Sequence, residues 1–303
     1  MSRIHDALSR AHPTKAEGPA PEKSQHQFIP AWTVNEPDSR TPPTGDHTPG
    51  NETLPTHVGE HPRENAGLVR FSTRWRERLA GGPDGNPELI EQFRRLAATL
   101  HHAHLNNGLR SVMVTSALPG DGKTLTAVNL ALVLAESYRY KVLLVDADLR
   151  RPSIPSVVDL GHGSGLSEAL RATTEQRLAL VTITPGLTLL PAGQPIANSI
   201  EALTSPRMRQ ILEEAEARFD WVILDAPPIG PTTDARILTQ MVGGALFVIQ
   251  AGRTPYPDVK AAVDALGREQ IIGVVLNGVE ATANDAYQYG VGPGSKDGRS
   301  DSR

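Results

Sequence analysis

An α/β fold, a doubly wound and mostly parallel sheet flanked by helices, is what this chain predicts, and three observations predict it. Short apolar, β-branched runs alternate with stretches of helical periodicity between residues 87 and 283, as strands buried on both faces require. Ala117-Leu-Pro-Gly-Asp-Gly-Lys-Thr124 joins the first such strand to a helix in the spacing of a phosphate-binding loop. Two later strands, Val142–Asp146 and Trp221–Asp225, run out of the apolar core and stop on aspartate, where open α/β sheets keep their ligand crevice.

The elements follow in order. Leu89, Ile90, Phe93, Leu96, Ala97 and Leu100 mark a helix leading into the core. Val112–Ser116 is then a strand, Lys123–Glu136 a helix and Lys141–Ala147 a strand. Leu187–Pro191 reads as a strand, Pro206–Arg218 as a helix, Trp221–Ala226 as a strand, and Thr233–Met241 as a helix. Ala245–Gln250, Pro257–Arg268 and Ile272–Asn277 close the series as strand, helix and strand.

The flanks differ in kind. Residues 1–86 are rich in proline, from Pro13 to Pro83, and too poor in apolar runs to offset the entropy of ordering, which predicts a mostly disordered segment. Within it, Ile4, Ala7, Leu8 and Ala11 recur at helical spacing behind Ser2, so residues 2–11 read either as a docking helix for a partner or as a frayed terminus. Residues 284–303 read as a flexible tail carrying Tyr287 and Tyr289.

Composition excludes several classes. There is no cysteine, hence no disulfide, thiolate metal site or cysteine nucleophile. No apolar run reaches the length of a membrane span, and no signal peptide is evident, so a cytoplasmic protein is expected. A net charge of −4 gives no reason to expect nucleic acid as partner, and the Arg70, Arg74, Arg76 and Arg78 cluster reads as a solvated face. His101, His102 and His104 are likewise expected to face solvent rather than to bind metal.

The chemistry gathers at the phosphate loop. Gly120 and Gly122 let the backbone approach phosphate oxygens, the N–H groups of the loop and of the helix N-terminus point at an anion, and Lys123 adds a mobile cation. Pro119, Gly120, Asp121, Gly122, Lys123, Thr124 and Leu125 therefore form the expected nucleotide cradle, with the Thr124 hydroxyl a ligand for Mg²⁺. Asp146, Asp148 and Asp225 would face the same pocket, and each can bind Mg²⁺ directly or through water. A nucleoside triphosphate is the expected ligand.

These residues resemble a family. Ser116–Thr124, Val142–Pro152 and Phe219–Pro228 together look like the bacterial protein-tyrosine kinases of capsule and exopolysaccharide synthesis, P-loop proteins unrelated to eukaryotic kinases. The likeness spans roughly residues 88–283, its most specific part being the paired aspartates followed by Leu-Arg-Arg-Pro. It implies an ATP- and Mg²⁺-dependent tyrosine autokinase controlling polysaccharide polymerisation or export. In that scheme Lys123 contacts the transferred phosphate, Thr124 and Asp148 hold Mg²⁺, Asp146 accepts the tyrosine proton, Asp225 supports the metal and its waters, and Asn277 contacts adenine. Spacing alone leaves the roles of Asp146 and Asp148 exchangeable, and Asn277 before Gly278 also suits a turn.

The rival is the MinD/ParA group of assembly and partitioning ATPases, which share the sheet and the order of motifs. Their second loop lysine would fall at Leu118, which favours the kinase branch. The resemblance further implies tail tyrosines as substrate, here only Tyr287 and Tyr289. It implies a separate membrane-embedded polysaccharide co-polymerase as activator, recruiting the chain to the inner face of the membrane. Ring assembly in the family uses Glu, Arg and Arg at three-residue spacing on the first helix; Glu91 and Arg94 match, and Ala97 stands where the second arginine belongs.

Overall fold

In the computed structural model the strands lie in the order β3-β4-β2-β5-β1-β6-β7. The structure describes residues 71–81, 86–160, 163–172, 177–230 and 233–279. The proline-rich segment up to residue 70, the 2–11 helix and the tail with Tyr287 and Tyr289 lie outside the described residues. The strands are β1 (Ser111–Ser116), β2 (Val142–Asp146), β3 (Val181–Thr184), β4 (Leu187–Leu190), β5 (Trp221–Asp225), β6 (Ala245–Gln250) and β7 (Ile271–Asn277). All neighbours pair in parallel except β3 with β4.

Helix α1 (Pro87–Asn107) begins where the Asn86 side chain accepts hydrogen bonds from the N–H groups of Glu88 and Leu89, with proline in the first turn. It ends on Gly108 at φ 66°. Together with α2 (Lys123–Ser137) it covers one face of the sheet. The other face is covered by α4 (Leu166–Arg171), α5 (Ser199–Leu203), α6 (Pro206–Arg218), α7 (Asp234–Thr239) and α8 (Tyr256–Leu266). A one-turn helix, α3 (Ile154–Val157), follows β2 on the α2 side.

Burial explains why the middle strands are apolar through their centres. Every residue of β1, β2 and β5 is buried, because each has strands on both edges and helices on both faces. Trp221 and Phe247 are wholly enclosed, and side chains of that size contribute about 1.5–3 kcal/mol each on burial.

Three features depart from the sequence expectation. Val181–Thr184 is an edge strand paired antiparallel through the Pro185-Gly186 turn. Packing also begins ahead of residue 87. Leu79 and Ala80 are buried, and the Asn129 side chain clamps them, accepting from the Ala80 N–H at 2.7 Å and donating to the Arg78 carbonyl at 2.9 Å. The guanidinium groups of Arg74 and Arg78 lie over the Trp75 ring, 5.0 and 5.6 Å from its centre. Finally, His101 and His104 are half-buried rather than solvent-facing: His101 Nδ1 lies 2.6 Å from the Tyr140 hydroxyl, and the His104 ring packs on Trp221.

Candidate nucleotide and metal site

The site is built where β1, β2 and β5 end side by side. Parallel register sets Asp146 of β2 beside Asp225 of β5, and Val114 of β1 beside Asp225. The chain then leaves β1 through the loop Ala117–Gly122, whose Gly120 and Gly122 sit at φ 89° and 99°. Side chains strongly disfavour that region, so glycine is required at both positions. At Gly122 space demands it too, because a Cβ would lie 1.9 Å from Asn277 Nδ2.

Asp121 locks the loop. It is buried, its Oδ2 accepts from the Leu118 N–H at 3.0 Å, and its Oδ1 accepts from the Thr254 hydroxyl at 2.8 Å. Asn277, at the end of β7, donates its amide to the Asp121 carbonyl at 3.0 Å and to Gln250 Oε1 at 3.3 Å. The loop is thus tied to the ends of β6 and β7. Leu118 contributes only its backbone and an apolar side chain packed on the core.

Lys123, Thr124, Asp146, Asp148 and Asp225 converge. Lys123 Nζ lies 3.3 Å from Asp148 Oδ2 and 3.8 Å from Asp225 Oδ1. The Thr124 hydroxyl donates to Asp225 Oδ2 at 2.7 Å and touches the Ser153 hydroxyl, also at 2.7 Å. Asp146 Oδ2 accepts from the Ile154 N–H at 3.2 Å, and Asp148 Oδ1 from the Arg151 N–H at 3.1 Å, so the loop after β2 wraps both carboxylates. Arg150 turns away, its guanidinium gripping the buried Asp234 on α7 at 2.9 and 3.4 Å. Pro119 completes the loop, and Leu125 packs against the core from the first turn of α2.

Electrostatics are unbalanced. Burial raises the Asp146 carboxyl well above its ordinary value, and the Asp225 charge raises it further against the opposing hydrogen bond from Ile154. Asp225 is raised by burial too, with Lys123 and the Thr124 hydroxyl opposing. At Lys123 burial acts downward, and the charges of Asp225 and Asp148 outweigh it, leaving the ammonium above its ordinary value. When all three are ionised, the carboxylates facing one ammonium carry two uncompensated formal negative charges among buried groups.

Two of those carboxylates also carry buried oxygens without a hydrogen-bond partner, Asp146 Oδ1 and Asp225 Oδ1. Oxygen-rich, twice negative and incompletely satisfied, this donor set fits a hard divalent cation, which takes carboxylate, hydroxyl and water oxygens. Ser153, Gln250 and Thr254 belong to the site and were not anticipated. The rule that ligands sit at the carboxyl ends of strands could have drawn attention to the turn after β6.

Comparisons with known proteins agree on one neighbourhood. Residues 109–289 match the family described as ParA: NUBPL iron-transfer P-loop NTPase. The chain is 35% identical over 202 residues to Tyrosine-protein kinase YwqD of Bacillus subtilis, covering 66% of this chain and 85% of that protein. It is 32% identical over 193 residues to the Succinoglycan biosynthesis transport protein ExoP of Rhizobium meliloti, covering 62% of this chain and 24% of that one. Among solved structures, the kinase domain of the Escherichia coli tyrosine kinase ETK superposes with a TM-score of 0.60 at 34% identity, over 64% of this chain and 78% of that one.

Proposed function

The chain belongs to the bacterial tyrosine-protein kinases, on a ParA-type P-loop frame, and from that premise we propose that it is an ATP-dependent tyrosine autokinase regulating capsular or exopolysaccharide polymerisation or export. The observation that carries this reading is the convergence of Lys123, Thr124, Asp146, Asp148 and Asp225 at the phosphate loop of a chain 35% identical to a tyrosine-protein kinase.

Phosphoryl transfer depends mainly on positioning and charge neutralisation, so the site must hold ATP and the acceptor tyrosine in line and absorb the charge that develops. Thr124, Asp148 and Asp225 are the residues to hold Mg²⁺, which when bound would neutralise charge on the terminal phosphates. Lys123, on the first turn of α2, reaches the transferred phosphate. Asp146, whose free Oδ1 and raised basicity suit a proton acceptor, takes the tyrosine proton as the phenol oxygen attacks phosphorus and ADP departs. Asn277, at the end of β7, would contact adenine through its side-chain amide. The partitioning-ATPase alternative lacks its second lysine, the position being Leu118.

Tyr287 and Tyr289 serve as acceptors, tethered to the domain by a short stretch that raises their local concentration. A membrane-embedded polysaccharide co-polymerase is the partner this function requires. No helix among the described residues is long and apolar enough to cross a membrane, so recruitment from the cytoplasm to its inner face would fall to that partner. A homo-oligomer would form through the Glu91/Arg94 face of α1, where both side chains are exposed.

The test is incubation with Mg²⁺ and γ-labelled ATP, alone and with the membrane partner. Label is expected on Tyr287 or Tyr289 and is expected to vanish in Lys123→Met. Brisk ATP hydrolysis without phosphotyrosine, even with the partner present, would overturn the kinase reading.

A further inference from the structure

The turn after β6 brings a second cation to the phosphate loop. Nη1 and Nη2 of Arg253 each lie 3.5 Å from the point a Cβ would occupy on Gly120, so the guanidinium rests against the most open glycine of the loop. Arg253 does not hold itself there; its neighbours do. Thr254 Oγ1 donates to Asp121 and accepts from the Gln250 N–H at 3.1 Å, the Arg253 N–H donates to the Gln250 carbonyl at 3.2 Å, and Asn277 bridges Gln250 to the loop backbone. The backbone of the turn is therefore fixed to the loop while the side chain itself stays exposed.

Charge gives this placement its meaning. Lys123, the cation the motif supplies, already faces Asp148 and Asp225. Among the described residues no carboxylate pairs with Arg253, whose guanidinium carries five donors. An arginine presented beside a loop of inward-facing N–H groups matches phosphate oxygens in charge and in fork geometry.

We infer that Arg253 contacts the polyphosphate of the bound nucleotide, forming the second cationic arm of the cradle opposite Lys123. This rests on the proposal that the loop binds ATP. The role is one of binding: Arg253 donates to phosphate oxygens and takes no part in proton transfer.

The test uses the full chain with Mg²⁺ and titrates a fluorescent ADP analogue, with unlabelled AMP, ADP and ATP as competitors. Arg253→Gln and Arg253→Ala should weaken ADP and ATP about tenfold, the span of one charge-assisted hydrogen bond at an accessible site. They should leave AMP affinity and the unfolding midpoint of the nucleotide-free chain unchanged, and Arg253→Lys should recover part of the loss. ADP affinity within twofold of the wild type in Arg253→Gln would overturn the inference, as would an equal loss for AMP, which would mark a contact with base or ribose. Failure of the unaltered chain to bind any of the three would instead remove the nucleotide reading itself.

Discussion

Replacing Gly122 with alanine puts the geometry of the phosphate loop to a quantitative test. The residue sits at φ 99°, where a side chain costs about 1–2 kcal/mol of backbone strain. The new Cβ would also meet Asn277 Nδ2 at 1.9 Å and its Cγ at 3.0 Å. Asn277 can swing away only by giving up its bonds to the Asp121 carbonyl and Gln250, each contributing about 1 kcal/mol. The expected loss is about 3–4 kcal/mol, a large part of the roughly 5–15 kcal/mol that holds a domain of this kind together. Urea unfolding of the nucleotide-free chain measures it. In an Asn277→Ala background the clash and the bonds are already gone, so Gly122→Ala should cost only the backbone part, leaving a coupling of about 2 kcal/mol. Equal costs in the two backgrounds would refute the idea that Asn277 and Gly122 are fitted to each other.

Two further outcomes follow from burial and charge. Asp146 and Asp225 have raised folded values, so their favourable contribution is complete below the ordinary carboxylate range and is lost as pH rises through those values. Without Mg²⁺, the wild type should therefore lose stability relative to Asp146→Asn as pH rises above the ordinary carboxylate range, and the variant should lose phosphotyrosine formation; denaturation profiles that stay parallel as pH rises would contradict the assignment. Ala97 is fully enclosed, facing the core from α1 while Glu91 and Arg94 face outward, so Ala97→Arg should not rebuild the family's interface motif. It should destabilise the chain by about 3 kcal/mol or more through an unpaired buried charge, readable as a lowered urea midpoint, and an unchanged midpoint would show that the position can turn to solvent.

How much of this was legible in the sequence depended on how local the signal was. β1, β2, β5 and β6 stand out because strands enclosed on both faces carry unbroken apolar runs instead of an alternation. Val181–Thr184 does not, since it alternates, lies at the sheet edge and owes its state to pairing with β4. The segment Phe71–Gly81 gives no period either; what orders it comes from elsewhere in the chain, the Asn129 side chain at Arg78 and Ala80 and the backbone of Val157 and Val158 at Phe71 and Ser72. The same division runs through the site. The phosphate loop and the two acidic strand ends are readable as short motifs, whereas Ser153, Gln250 and Thr254 join the site only because β5 lies next to β2 and β6 lies between β1 and β7. Sequence spacing carries no record of which strands become neighbours.

That neighbour relation also explains why the site is electrostatically poised. Parallel pairing sets Asp146 directly beside Asp225 at the ends of two strands buried along their whole length, so neither carboxylate can retreat without unzipping the centre of the sheet. Lys123 and the Thr124 hydroxyl relieve the repulsion in part, and two buried oxygens, Asp146 Oδ1 and Asp225 Oδ1, remain without a hydrogen-bond partner. Leaving such groups unsatisfied costs about 1–3 kcal/mol apiece, and the apolar packing of β1, β2 and β5 is what sustains that cost in the absence of ligand. On the proposed function, a divalent cation entering with its nucleotide would supply the missing charge and the missing partners together. The core that makes the fold rigid is therefore the device that keeps the site hungry for its ligand, and any substitution that calms the pocket, as Asp146→Asn should, exchanges function for stability.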